Sequence, residues 1–291
     1  IFLINLPVAL VGFVAIWWLM SDACMPVKRF DWRGFALLAL FMATLTLALE
    51  RSGHTQGLLP TWTPWLVALG SLSGYLWYAT HHNEPLFSLR LFHCRTFRIG
   101  IAGNLLARVG SGAIPFITPL FMQVGLGVSP LVAGLSLIPV VLGSMGMKVV
   151  VVALVQRLGY RRVLVISTLA LAINMLLFAW AGLKGWFWLL PVQLLLLGMI
   201  NSVRFSTMNN LTLKDLPDTL ASAGNSLLSM VMQLSMSLGV SLVGFMLARS
   251  GHPVGSADHP AVAEAFMQTY FWLSLVLALP ALVFARVPKR S

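Results

Sequence analysis

Long apolar runs, separated by short polar stretches, recur along the whole chain. Nine of them, designated A to I, occupy residues 1–20, 34–50, 62–80, 99–122, 130–155, 163–182, 186–206, 221–248 and 266–285. Each is close to the roughly 20 residues that an α-helix needs to cross a hydrocarbon core about 30 Å thick. No run alternates polar and apolar positions with period two, so the pattern predicts helices rather than the strands of a closed barrel. Pro115, Pro119, Pro139 and Gly143 fall inside runs, which a membrane helix tolerates when neighbouring helices satisfy the freed backbone groups. The expected fold is an all-α polytopic membrane protein with nine transmembrane helices.

The cations predict the threading, because cytoplasmic connections carry the excess of Lys and Arg. The connections after A, C, E and G, together with the C-terminal tail, hold fourteen of the 19, with Arg204 and Lys214 counted after G. The connections after B, D, F and H hold three: Arg51, Lys184 and Arg249. This asymmetry predicts Ile1 on the outer side and Ser291 in the cytoplasm. The remaining two cations, Arg108 and Lys148, fall inside predicted spans.

Composition agrees with a membrane solvent: 58% of residues are hydrophobic, 9% are charged and the mean hydropathy is +0.88, whereas a soluble domain is roughly 25% charged. The net charge of +11 is scattered in small loop groups, not gathered into the basic stripe that nucleic acid requires, so no nucleic-acid partner is expected. Cys24 and Cys94 lie in predicted cytoplasmic connections without metal-ligand spacing, so neither a disulfide framework nor a metal or cofactor site is predicted. No hydrolase, zinc-protease or phosphate-loop motif suggests an enzyme. The eight acidic residues and six histidines all lie in connections or at run ends, which leaves no deep carboxylate here to relay a proton or to pair with Arg108. The chain opens Ile1-Phe2-Leu3 inside an apolar run with no basic segment before it, and reads as a break within a longer protein.

Arg108 stands about 15 Å into run D, near the middle of the hydrocarbon. An Arg there costs on the order of 2.5 to 3.5 kcal/mol and must face protein or a wet cavity. It either lines a transport cavity, pairs with a carboxylate outside this chain, or ties helices together through backbone carbonyls. Asn104, Arg108 and Ser111 share one face of D by their spacing, and Asn225, Ser229 and Gln233 make a similar stripe on H. These stripes either meet across a substrate cavity or join neighbouring helices by hydrogen bonds. Lys148 lies near the cytoplasmic end of E, where its stem can reach the interface or act in cytoplasmic gating. Arg157, Gly159, Arg161 and Arg162 form the turn RLGYRR between E and F, as a topology signal or a gate. Ser235, Gly239 and Val243 form a small-residue ridge suited to close helix contact.

Several stretches carry a resemblance in order along the chain. NEPLFSLRLFHCRTFRIG at 83–100 resembles the amphipathic cytoplasmic connector of the fourteen-helix drug:proton antiporter branch of the major facilitator superfamily. IFLINLPVAL at 1–10, FMQVGLGVSPLVAGLSLIP at 121–139, RLGYRR at 157–162 and KDLPDTLASAGNSLLSMVMQLSMSLGVSLVG at 214–244 are similar to further segments of that branch. The resemblance implies that A is the sixth of fourteen helices, B and C an extra pair, and D to I the C-terminal six-helix bundle. Domains are then expected at 1–80, 81–98 (the connector) and 99–291. It implies a multi-pass protein of the bacterial cytoplasmic (inner) membrane that couples proton entry to efflux of amphipathic or cationic drugs by alternating access. Its partners are membrane lipid, protons, a small-molecule substrate and the N-terminal helices of the same protein. RLGYRR then belongs to the cytoplasmic gate. Two alternatives stand beside this expectation: an exporter of an organic anion or metabolite with Arg108 as charge partner, and a truncated membrane protein that transports nothing.

Overall fold

The computed structural model describes residues 5–19, 31–51, 60, 62–82, 85–87, 89–249 and 259–287. Over the described residues each of the nine apolar runs is mainly helical, with turns inside D at 112–113, E at 136–137 and I at 279. By internal contacts the chain separates into two units, Ile1–Asp31 and Trp32–Ser291. The first holds α1 (Asn5–Leu19), which is run A. It has no charged residue, and Leu10, Phe13, Trp17 and Trp18 are exposed.

The second unit opens with α2 (Trp32–Arg51) and α3 (Thr63–His81). They are antiparallel, since Leu38 near the start of α2 packs with Tyr75 and Ala79 near the end of α3. The Tyr75 hydroxyl accepts from Phe87 N at 2.8 Å and donates to Phe87 O at 3.2 Å, which ties the connector to this hairpin. Leu227 and Met230 of α9 (Asp218–Arg249) pack on the same cluster. The connector includes a 3-10 turn at Leu89–His93, with Leu91 buried and Phe92 exposed, before α4 begins.

Run D divides into α4 (Arg95–Ser111) and α5 (Ile114–Leu120), the latter running into one π-helical turn at Phe121–Gly125. Pro115 and Pro119 lack the amide donor that an unbroken helix needs, and the break at Gly112–Ala113 precedes them. Run I divides similarly at Pro280, into α10 (His259–Ala278) and α11 (Pro280–Phe284). Runs E and F comprise α6 (Pro130–Leu135) and α7 (Ile138–Leu183). The helical trace of α7 is continuous, yet Gly159 has φ 77° and ψ 156°, a region open essentially to glycine alone. The packing requires a reversal there. Val151 and Val163 share one cluster with Val203 of α8 (Leu190–Leu213), whereas a straight helix would hold them about 18 Å apart.

Four continuous stretches among the described residues are long and apolar enough to cross a membrane: Arg95–Gly125, Pro130–Ala181, Asp218–Leu247 and Val262–Phe284. The second contains both arms of α7. Helix α8 is long enough to cross but polar in its second half.

Helix α4 is the centre of the bundle. A Cβ added at Gly100 would run into Thr212 of α8, one at Gly103 into Phe284 of α11, one at Gly110 into Leu277 of α10 and one at Gly112 into Met236 of α9. Small residues allow this approach, and in lipid close van der Waals packing replaces the hydrophobic effect as the force between helices. Away from α4 the core is aromatic: the Phe121 ring lies 6.1 Å from Phe178, 5.6 Å from Phe266 and 6.0 Å from Tyr270.

Candidate functional site

The polar face of α4 is buried, with Asn104 0%, Arg108 7% and Ser111 3% exposed. It faces α8. Asn104 Nδ2 donates to Thr212 Oγ1 at 3.2 Å and to Gly100 O at 3.1 Å. Its Oδ1 accepts from Arg108 Nε at 3.3 Å. Ser111 turns its hydroxyl back to Ala107 O at 2.8 Å. The guanidinium carbon of Arg108 lies 4.2 Å from the ring centroid of Phe205 on α8.

A second arginine completes the cluster and corrects the threading count. Arg204, assigned from sequence to the connection after G, lies inside α8 and is 0% exposed. It stands nine residues before Leu213, about 14 Å along the helix, at the level of Arg108. Its Nη2 donates to Asn201 Oδ1 at 3.2 Å and makes a long contact to Ala107 O on α4 at 3.5 Å. Among the described residues its Nε and Nη1 have no hydrogen-bond partner. Its guanidinium carbon lies 5.1 Å from the same Phe205 centroid. The connections expected on the cytoplasmic side therefore hold thirteen cations, and Arg204 joins Arg108 and Lys148 inside the apolar runs.

Arg204 stands at the end of run G, where the sequence turns polar: Asn201, Ser202, Ser206, Thr207, Asn209, Asn210 and Thr212. A buried polar face continues a helix as well as an apolar one does. The available signal was the lack of any Pro or Gly between Gly198 and Pro217.

Among the described residues neither arginine has a carboxylate partner; the ion pair found there is the exposed Lys214–Asp215 at 4.0 Å. Within this chain α8 covers Arg108. Arg204 fits the role of a helix tie through a backbone carbonyl that was weighed for Arg108.

The α9 stripe behaves differently. Asn225, Ser229 and Gln233 are exposed, and Ser229 Oγ donates within the helix to Asn225 O at 2.9 Å. Helix α9 meets α4 through another face, on which Gly224, Leu228, Ser235, Gly239 and Val243 are buried. A Cβ at Gly239 would lie 2.5 Å from Val109 O. The ridge Ser235–Gly239–Val243 thus packs as its composition predicts, and among the described residues no hydrogen bond joins the α4 and α9 polar stripes.

Of the predicted gate residues, Lys148, Arg157 and Arg162 are exposed, while Gly159 and Arg161 are half-buried. The turn at Gly159 lies at the same end of the bundle as two other connections. Lys214 Nζ is 5.1 Å from the Tyr160 ring centroid, and Cys94 Sγ donates to Asp215 O at 3.7 Å. At the other end, Met122, Val132, Leu135, Pro139 and Leu194 line an apolar recess of about 400 Å³. Among the described residues no cluster of His, Cys, Asp and Glu could hold a metal ion.

Residues 100–291 match the model of the Major Facilitator Superfamily. The chain is 58% identical over 290 residues to a protein of Cronobacter sakazakii named MdtD, for multidrug resistance, covering 99% of this chain and 61% of that relative. Proteins of the same name from Serratia proteamaculans and Klebsiella pneumoniae are 56% and 55% identical, again over 99% of this chain and 61% of their own length. The chain thus spans about three fifths of the relatives it matches.

Proposed function

Because this chain belongs to the major facilitator superfamily, whose members are multi-pass membrane transporters, we propose that the complete protein is a proton-coupled exporter of amphipathic small molecules that works by alternating access. The observation that carries this reading is the exposed stripe Asn225, Ser229 and Gln233 on α9, a helix of 32 residues that is otherwise largely apolar. Such a stripe is unfavourable against lipid and suits a water-filled cavity opposite a second half. The names of the relatives, MdtD for multidrug resistance, support the substrate class.

In this reading nine helices of the chain cross the cytoplasmic membrane, with Ile1 outside and Ser291 in the cytoplasm. Residues 1–80 supply the last helix of the N-terminal bundle and the extra pair, 81–98 the connector, and 99–291 the C-terminal bundle. The end bearing Gly159, Arg161 and Lys214 is the cytoplasmic gate, where exposed Arg157 and Arg162 meet anionic headgroups. The proton-carrying acids belong to the N-terminal helices, since those of this chain lie in connections or near the ends of apolar runs. The test is ethidium movement into proteoliposomes of the full-length protein with its cytoplasmic face outward, driven by an imposed proton gradient. Movement that collapses with a protonophore supports the proposal; movement indifferent to the gradient, or none, sinks it.

The two buried arginines without a carboxylate favour a second reading, export of an organic anion. Anion efflux lost in Arg108→Ala and retained in Arg108→Lys would select it over drug export.

A further inference from the structure

We propose that Arg108 and Arg204 together form one buried receptor for a single carboxylate, set in the seam between α4 and α8 beside Phe205. Both guanidinium groups are held by neutral acceptors only, Asn104 Oδ1 for Arg108 and Asn201 Oδ1 with the more distant Ala107 O for Arg204. Those bonds orient the two groups and leave both charges uncompensated. Arg204 Nε and Nη1 are enclosed with no hydrogen-bond partner among the described residues, and they carry three of the five N–H groups of a guanidinium. The two cations also share one aromatic face, each within 5.1 Å of its centroid. A ring quadrupole offsets only part of the charge, and like charges in low dielectric repel more strongly than in water. One anion between them would satisfy the free donors and convert the repulsion into two charge-assisted hydrogen-bonded pairs.

The shape of the seam selects a carboxylate. Within about two turns of the arginines, α4 and α8 are locked by the Asn104–Thr212 hydrogen bond and the close approach at Gly100. That spacing admits a thin planar group more readily than a tetrahedral dianion. Approach is from the side of Arg108 and half-buried Phe205, because Arg204 is wholly enclosed. The carboxylate has two sources, a small-molecule anion or an Asp or Glu side chain elsewhere in the full-length protein. The inference rests on the transporter reading only for its membrane surroundings.

The experiment is thermal unfolding of the purified full-length protein in nanodiscs, titrated with sodium benzoate against sodium chloride at equal ionic strength. A free-anion site raises the Tm saturably, by about 2 to 4 °C, in the unmodified protein and not in Arg204→Met. In Arg204→Lys, which keeps the charge and loses the fork, the half-saturating benzoate concentration rises about tenfold. If instead a side chain fills the site, benzoate has no effect, and one Asp→Asn or Glu→Gln change restores the Tm lost in Arg204→Met while lowering it in the unmodified protein. Benzoate acting equally on the unmodified protein and both Arg204 variants would overturn the proposal, as would a silent benzoate titration with no restoring acid change. The readout is binding and stability, so failure of ethidium transport does not touch it. Proton-driven ethidium export with a silent arginine pair would overturn this inference alone.

Discussion

Asn104 shows how much one side chain holds in the α4–α8 seam. It donates to Thr212 and accepts from Arg108, so Asn104→Ala removes the inter-helix bond and strands a buried guanidinium donor. The expected loss is about 1 to 3 kcal/mol, read as a lowered Tm of the full-length protein in detergent, whereas Ser111→Ala, which gives up only a bond to its own helix, should change the Tm little. A comparable drop in both variants would mean that the seam is held by packing alone. The α4 stripe was visible from sequence because a deep Arg with an Asn one turn before it stands out against apolar neighbours. Its partner was not. Arg204 sits among seven Ser, Thr and Asn residues, and such a run reads as a connection until a neighbouring helix is known to cover it.

At the scale of elements, the helical character of the apolar runs was legible over the described residues, because lipid demands about 20 apolar residues with every backbone bond made internally. The breaks inside D and I coincide with prolines that the sequence displays. The α7 turn depends on one residue. Gly159→Ala should lower the Tm by an amount corresponding to about 1 to 3 kcal/mol, the range for a side chain forced into this backbone region; an unchanged Tm would show that the two arms do not require this φ. Glycines elsewhere on α7 and α8 divide by contact. A Cβ at Gly198 would run into the carbonyl of Val140, and one at Gly146 meets nothing within 4 Å. Gly198→Ala is therefore expected to destabilise by about 1 to 3 kcal/mol. Gly146→Ala is expected to stabilise by up to about 1 kcal/mol through helix propensity. Matching signs in the two variants would contradict the packing described between α7 and α8.

At the scale of the whole molecule, α9 presents one face to α4 and leaves another exposed. In a background lacking Cys24 and Cys94, Ser229→Cys and Gln233→Cys should react with a water-soluble maleimide at least about tenfold faster than Ser235→Cys, because thiolate forms only where water reaches. A proton gradient should change the rate at the first two positions and not at the third. If all three stay unreactive, the stripe faces lipid or protein, and the cavity reading fails.

Composition and periodicity by themselves determined that this is a helical membrane chain, where its helices run and which α4 residues form its deep polar face. Those properties follow from the solvent, which acts on each segment separately and so leaves its mark in local sequence. Tertiary structure alone decided that the α4 face meets α8 instead of the α9 stripe, that Arg204 is enclosed, and that two arginines share Phe205. Side chains far apart in sequence become neighbours only when helices pack, and packing depends on which small residues let two backbones approach. That pairing is a property of surfaces, which a linear pattern does not encode.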